Sequence, residues 1–103
     1  MTLPVLDRDH LALYTGGDAG LEAELFGLLT AQIAACLGRM EAAAGEDEWQ
    51  AAAHTLKGAA RGVGAMALGQ ACEAAEAGGP DPSALKAVAV EAERALDAMR
   101  AAA

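Results

Sequence analysis

The stretch AAHTLKGAARG, Ala52 to Gly62, places a histidine, a lysine, a glycine and an arginine at spacings that share one side of a helix. At about 100° per residue, Lys57, Gly58 and Arg61 all fall within about 60° of His54. An imidazole is a good phosphoryl acceptor near neutral pH, because an unperturbed pKa of about 6.5 leaves most of it neutral and nucleophilic. Phosphoryl transfer asks chiefly for in-line geometry and neutralised oxygens, so a helix can present the nucleophile while a partner supplies the metal and the acceptor. The window Trp49 to Cys72 contains Lys57 and Arg61 and no acid, so in a chain of net charge −8 it carries +2 and the remainder −10. A locally cationic surface around an exposed imidazole suits an arriving anion.

Gly58 is the unusual member of the stripe, since a glycine inside a helix costs roughly 1 kcal/mol relative to alanine. One use for it is clearance: without a side chain beside the imidazole, a bulky phosphoryl group or another protein's active site can approach closely. Close helix packing is the other use, and the pattern alone admits both. A lone histidine on a helix also serves as a solvated or capping residue, and a lysine one turn on serves solubility. Zinc is disfavoured, because the i+4 position after His54 is Gly58 and not a second ligand. His10 has no partner motif and reads as structural or solvated.

The elements that must position this stripe are helical. Of the 103 residues, 54% are hydrophobic, but 29 of these are alanine, a composition that fits closely packed helices and fits sheets poorly. Asp7 is placed to cap a short helix ending at Gly16 and Gly17, and Asp18 a longer one running to about Ala43. That second helix carries Leu21, Leu25, Leu28, Leu29, Ile33, Cys36, Leu37 and Met40 as a broad apolar face. Gly45 to Glu48 turns the chain and supplies first-turn carboxylates to a third helix. Its core face is Trp49, Ala52, Leu56, Ala59, Ala60 and Val63, and Gly62 and Gly64 end it. A fourth helix from about Ala65 buries Leu68, Cys72 and Ala75 before Gly78, Gly79 and Pro80. Asp81 with Pro82 then opens a fifth, whose seam is Leu85, Val88, Ala92, Leu96 and Met99. The expected fold is all-α: an up-down antiparallel four-helix bundle with a short additional N-terminal helix, forming a single domain over residues 1–103.

The acidic balance, with pI near 4.5 and no basic cluster, excludes a nucleic-acid binder. With no run of about 18 apolar residues and no basic, apolar leader, the expectation is a cytoplasmic protein with no membrane association. The start at Met1 and the end just past the last seam turn suit a complete small protein. Cys36 and Cys72 match no metal spacing and lie among apolar residues, which predicts buried free thiols.

The sequence resembles the histidine-containing phosphotransfer domain of bacterial phosphorelays. The residues that carry the resemblance are His54, Leu56, Lys57, Gly58 and Ala59, then Val63, Gly64, Ala65, Leu68, Cys72 and Glu76. They follow the pattern H-x-L-K-G-[SA]-[AS], a hydrophobic residue with Gly-Ala, then Leu, Cys and an acid, and the helical layout extends the likeness over essentially the whole chain. The resemblance implies that His54 is phosphorylated, that Lys57 helps hold the phosphoryl oxygens, and that Gly58 leaves room for the group and the incoming partner. It also implies that Glu76 hydrogen-bonds the other imidazole nitrogen, with Glu73, one turn earlier, as a competitor. Arg61 matches no fixed family position; its place in the stripe is the reason to include it, and a solvated role fits equally.

By the same resemblance the chain is a shuttle without ATP-dependent kinase activity of its own. A phosphoaspartate on one receiver domain passes its phosphoryl group to His54, and a second receiver takes it onward. The implied partners are receiver domains of response regulators and hybrid histidine kinases, with Mg2+ carried by the receiver, no cofactor on this chain, and a monomeric protein. Docking in such domains uses a mostly apolar convex surface around the histidine, and Ala53 and Gly62 are expected to contribute to it. Two alternatives stand beside this. The phosphoacceptor domain of a chemotaxis-type histidine kinase shares the motif, although no glycine-rich nucleotide-binding segment is present. A non-catalytic helical adaptor bundle shares only the layout. A dimerising kinase domain carries an acid after its histidine, where this chain has Thr55.

Overall fold

In the computed structural model, which describes residues 2–102, every regular element is a helix among those residues. They are α1 (Arg8–Thr15), α2 (Ala19–Ala42), α3 (Glu46–Val63), α4 (Met66–Ala77) and α5 (Pro82–Ala102). The caps lie where the sequence places them: the Asp7 carboxylate accepts from the His10 amide at 3.0 Å, and that of Asp18 from the Leu21 amide at 3.0 Å. Gly16 takes the left-handed conformation that ends α1.

The end of α3 differs from expectation in one detail. Gly62 lies inside the helix, and Gly64 alone stops it, at φ 94°. The amide of Gly64 bonds the Arg61 carbonyl at 3.2 Å and that of Ala65 the Ala60 carbonyl at 2.9 Å, which satisfies the last-turn carbonyls. The N-terminal segment then crosses this corner. Asp7 N–H donates to the Gly64 carbonyl at 2.8 Å, and Ala67 N–H to that of Pro4 at 3.0 Å. A Cβ on Gly64 would stand 2.7 Å from the Asp7 carbonyl oxygen, so the corner needs glycine for both its φ and its space.

Helices α2, α3, α4 and α5 pack each against the next, and α5 closes back onto α2; α1 lies on α2 and α3. One cluster fills the centre, with Leu29, Ile33, Cys36 and Met40 from α2, Trp49 and Leu56 from α3, Leu68 and Cys72 from α4, and Val88 and Met99 from α5. Cys36 and Cys72 are free and buried, as expected. Burial pushes the Cys72 thiol up to about 12, with Cys36 adding to the effect, and burial also raises Cys36.

Two expectations for α2 need correction. Leu21 and Leu28 are exposed, because the apolar stripe of α2 is wider than the arc its neighbours cover. By length and composition, moreover, α2 is apolar enough to cross a membrane, although it holds no unbroken apolar run of about 18 residues. Alanine and leucine outweigh its four charged residues, while Phe26, Leu29, Ile33, Cys36 and Met40 face the shared core. On α5 the seam is Val88, Ala92, Ala95 and Met99, with Leu85 and Leu96 only half-buried.

Candidate functional site

His54 stands on the middle of α3 with its side chain 68% exposed, on the stripe that the helical spacing predicts. The opposite side of α3 anchors it: Trp49, Ala52, Leu56, Ala60 and Val63 are buried. Ala53, expected at the surface, is fully buried. The reason is that α3 is gripped from two sides, by α2 and by α4, so its buried arc is wider than a single face. Ala59, expected in the core, is half-buried at the edge of that arc.

The imidazole is held from α4. His54 Nδ1 lies 2.8 Å from Glu76 Oε1. An ionised carboxylate can only accept, so in the neutral ring the proton sits on Nδ1, and Nε2 carries the lone pair. The other oxygen of the same carboxylate, Oε2, accepts from Lys57 Nζ at 2.6 Å. The Lys57 hydrogen bond, and after it that of His54, hold the Glu76 carboxyl below the usual carboxylate range. One carboxylate therefore joins the histidine and the lysine, and it belongs to Glu76. Glu73, the competitor, is engaged elsewhere: its Oε2 accepts from Arg61 Nη2 at 3.0 Å.

The charge distribution in space differs from that along the chain. The window Trp49 to Cys72 is cationic by sequence, but Lys57 and Arg61 are both ion-paired by acids that lie just beyond its end. The stripe is thus a neutralised surface with its cations held in place. Arg61 reaches Glu73 by lying across α4 at Gly69, where a Cβ would meet its Cγ at 2.8 Å. That glycine, in the middle of an alanine-rich helix, was a signal of close approach that sequence reasoning left unread.

Gly58 and Gly62 are of another kind. A Cβ at either would meet nothing within 4 Å, so no contact within the chain requires a glycine there. Both open onto a shallow groove beside the imidazole stripe, whose other wall is Tyr14 of α1 and Leu25, Leu28 and Gln32 of α2. Leu28 is 64% exposed and Tyr14 64% exposed. The sequence pattern marks neither as a site residue: helical spacing puts Leu28 on the apolar face of α2, and Tyr14 lies on the short first helix. His10 is half-buried on α1 with its ring edge-on to Tyr14 at 5.5 Å between centroids.

No curated protein and no solved structure matches the chain. A family model does, that of the Hpt domain, over residues 24–102. The match takes in α3, α4 and α5 and most of α2, and leaves α1 outside, so it is shorter than the whole-chain likeness expected from the layout. With His54, Lys57, Gly58 and Glu76 all inside the matched span, the chain belongs to the Hpt domain family, whose members carry out histidine phosphotransfer in phosphorelays.

Proposed function

We propose that the chain is a phosphorelay intermediate that takes a phosphoryl group from a receiver-domain aspartate onto His54 Nε2 and gives it to the aspartate of a second receiver. The observation that carries this reading is the Nδ1 to Glu76 hydrogen bond of 2.8 Å, which leaves the exposed nitrogen with its lone pair outward. In the forward step that lone pair forms the P–N bond, the P–O bond of the aspartyl phosphate breaks, and the aspartate leaves as a carboxylate. Positive charge developing on the ring faces Glu76, whose carboxylate stabilises it. The return step reverses the same bonds onto the next receiver.

The remaining roles follow from position. Lys57 turns from Glu76 toward the phosphoryl oxygens once they arrive, since its ammonium is a mobile point charge on a flexible stem. Gly58 gives the group and the partner room. Arg61, tied to Glu73, flanks the site and does not enter the reaction. Mg2+ belongs to the receiver, and the chain needs neither ATP nor a cofactor of its own. The receiver sits on the groove between α2 and α3, with Leu28, Tyr14, Gly58 and Gly62 against its apolar surface; Gly62 was expected there, and Ala53 is not part of it. The bundle is read as up-down and antiparallel, a single domain over residues 1–103, and the protein as a cytoplasmic monomer whose partners are receivers of hybrid histidine kinases and response regulators.

The test is to incubate the protein with a phosphorylated receiver domain and follow acid-labile phosphate. Wild type is expected to label and His54→Gln to remain unlabelled. Labelling that persists in His54→Gln would overturn the assignment.

A further inference from the structure

The carboxylate that orients His54 stands on a weak place in the fold. Glu76 is the second-last residue of α4, a helix of 12 residues whose C-terminal cap, Gly78, is extended at φ −110° and lacks the left-handed closure that ends α1 and α3. Last-turn carbonyls without such closure need other partners, or the turn frays. From the backbone the Ala75 carbonyl receives a long bond, 3.3 Å from the Gly78 amide. Its short bond comes from the side: Trp49 Nε1–H donates to it at 2.8 Å. Trp49 is 2% exposed and Ala75 1% exposed, so water cannot replace the donor.

Trp49 lies on the first turns of α3, the helix that carries His54, and Ala75 immediately precedes Glu76. The indole thus ties the turn bearing the carboxylate to the helix bearing the imidazole. We propose that Trp49 is a positioning residue for phosphotransfer: its N–H fixes the last turn of α4 so that Glu76 Oε1 stays within hydrogen-bond reach of His54 Nδ1. This rests on the reading of His54 as the acceptor, but its first readout does not.

That readout is the imidazole itself. In 15N spectra near pH 8, wild type should show His54 predominantly as the Nδ1–H tautomer. Trp49→Phe, which keeps an aromatic ring and removes the donor, should shift the two nitrogens toward averaging between tautomers. Where Trp49→Phe does not fold, 3-benzothienylalanine at position 49 keeps the indole shape without the N–H and serves in its place. Unchanged His54 shifts in the folded variant would overturn the proposal, whatever the transfer rates.

The second readout is transfer from a phosphorylated receiver in two backgrounds. Losing one hydrogen bond of ordinary strength corresponds to about a fivefold slower rate. Trp49→Phe should show that loss in the wild-type background and change the rate by less than about twofold in Glu76→Ala, because the residue it positions is already gone. Equal slowing in both backgrounds would mean that Trp49 acts only on general stability. If wild type shows no transfer at all, the acceptor reading fails, and the tautomer shift alone decides the role of Trp49.

Discussion

Lys57 Nζ lies 2.6 Å from Glu76 Oε2, on the same carboxylate that receives the His54 ring nitrogen. The lysine of the motif is therefore engaged with the orienting acid and not held free above the imidazole. This arrangement keeps Glu76 ionised, and it makes the basicity of the carboxylate depend on where the ammonium is.

The dependence has a sign. The folded-state pKa of Glu76 is lowered, chiefly by Lys57, so the pair contributes stability above the unfolded value of about 4.3 and loses it as pH falls through the folded value. Lys57→Met should raise the titration midpoint of the Glu76 carboxyl, followed by 13C resonance, toward that ordinary value. Thermal unfolding between about pH 4.3 and the folded midpoint should then depend less on pH in Lys57→Met than in wild type. A Glu76 midpoint unmoved by the substitution would mean that the ion pair does not hold in solution.

Gly58 allows the folding and docking uses of a glycine to be separated. Because a Cβ there meets nothing, Gly58→Ala should stabilise the protein by about 0.5–1 kcal/mol through helix propensity, read as a rise in Tm. Gly58→Gln should also keep the helix intact while slowing phosphotransfer, since its side chain occupies the approach to Nε2. A Gln variant that transfers at the wild-type rate would show that the clearance is not used. Gly64→Ala supplies the contrast. Its φ of 94° and the Asp7 carbonyl at 2.7 Å predict a loss of about 1–2 kcal/mol or more, with no direct effect on chemistry.

Much of this was legible in sequence because local rules set it. Asp7, Asp18 and Pro82 marked helix starts by capping and φ preference, and the three-four spacing separated His54 from Leu56. What stayed hidden depends on which helices become neighbours. Ala53 is buried and Leu28 exposed for the same reason: periodicity gives the direction of a side chain but not the width of the arc that a neighbour covers. The choice between Glu76 and Glu73 was of this kind too. The two acids lie three residues apart on one helix, and only the register of α3 against α4 gives Glu76 to His54 and Glu73 to Arg61.

Leu28 provides a test of the docking face. It is 64% exposed, so Leu28→Asp should leave the unfolding free energy within about 0.5 kcal/mol of wild type. If a receiver buries this side chain, the loss of about 1.5–3 kcal/mol of apolar contact weakens the receiver Kd by about tenfold to a hundredfold. Binding measured by calorimetry with a receiver domain separates the two effects. An unchanged Kd would move the docking surface away from the α2 side of the groove.

The two thiols carry a prediction about the core. Thiolate is the reactive form, and with Cys72 pushed up to about 12 it is scarce at pH 8. Both cysteines are fully buried. Reaction with an aromatic disulfide reagent should therefore be at least about a thousandfold slower in native protein than in denaturant, where both thiols regain ordinary pKa and access. Oxidation should not join them. Among the described residues no Cα of α2 comes within 8 Å of one of α4, whereas a disulfide needs about 7 Å or less. Intact mass after mild oxidation should show two free thiols, and a bridged monomer formed under native conditions would mean that α2 and α4 approach each other much more closely in solution than they do here.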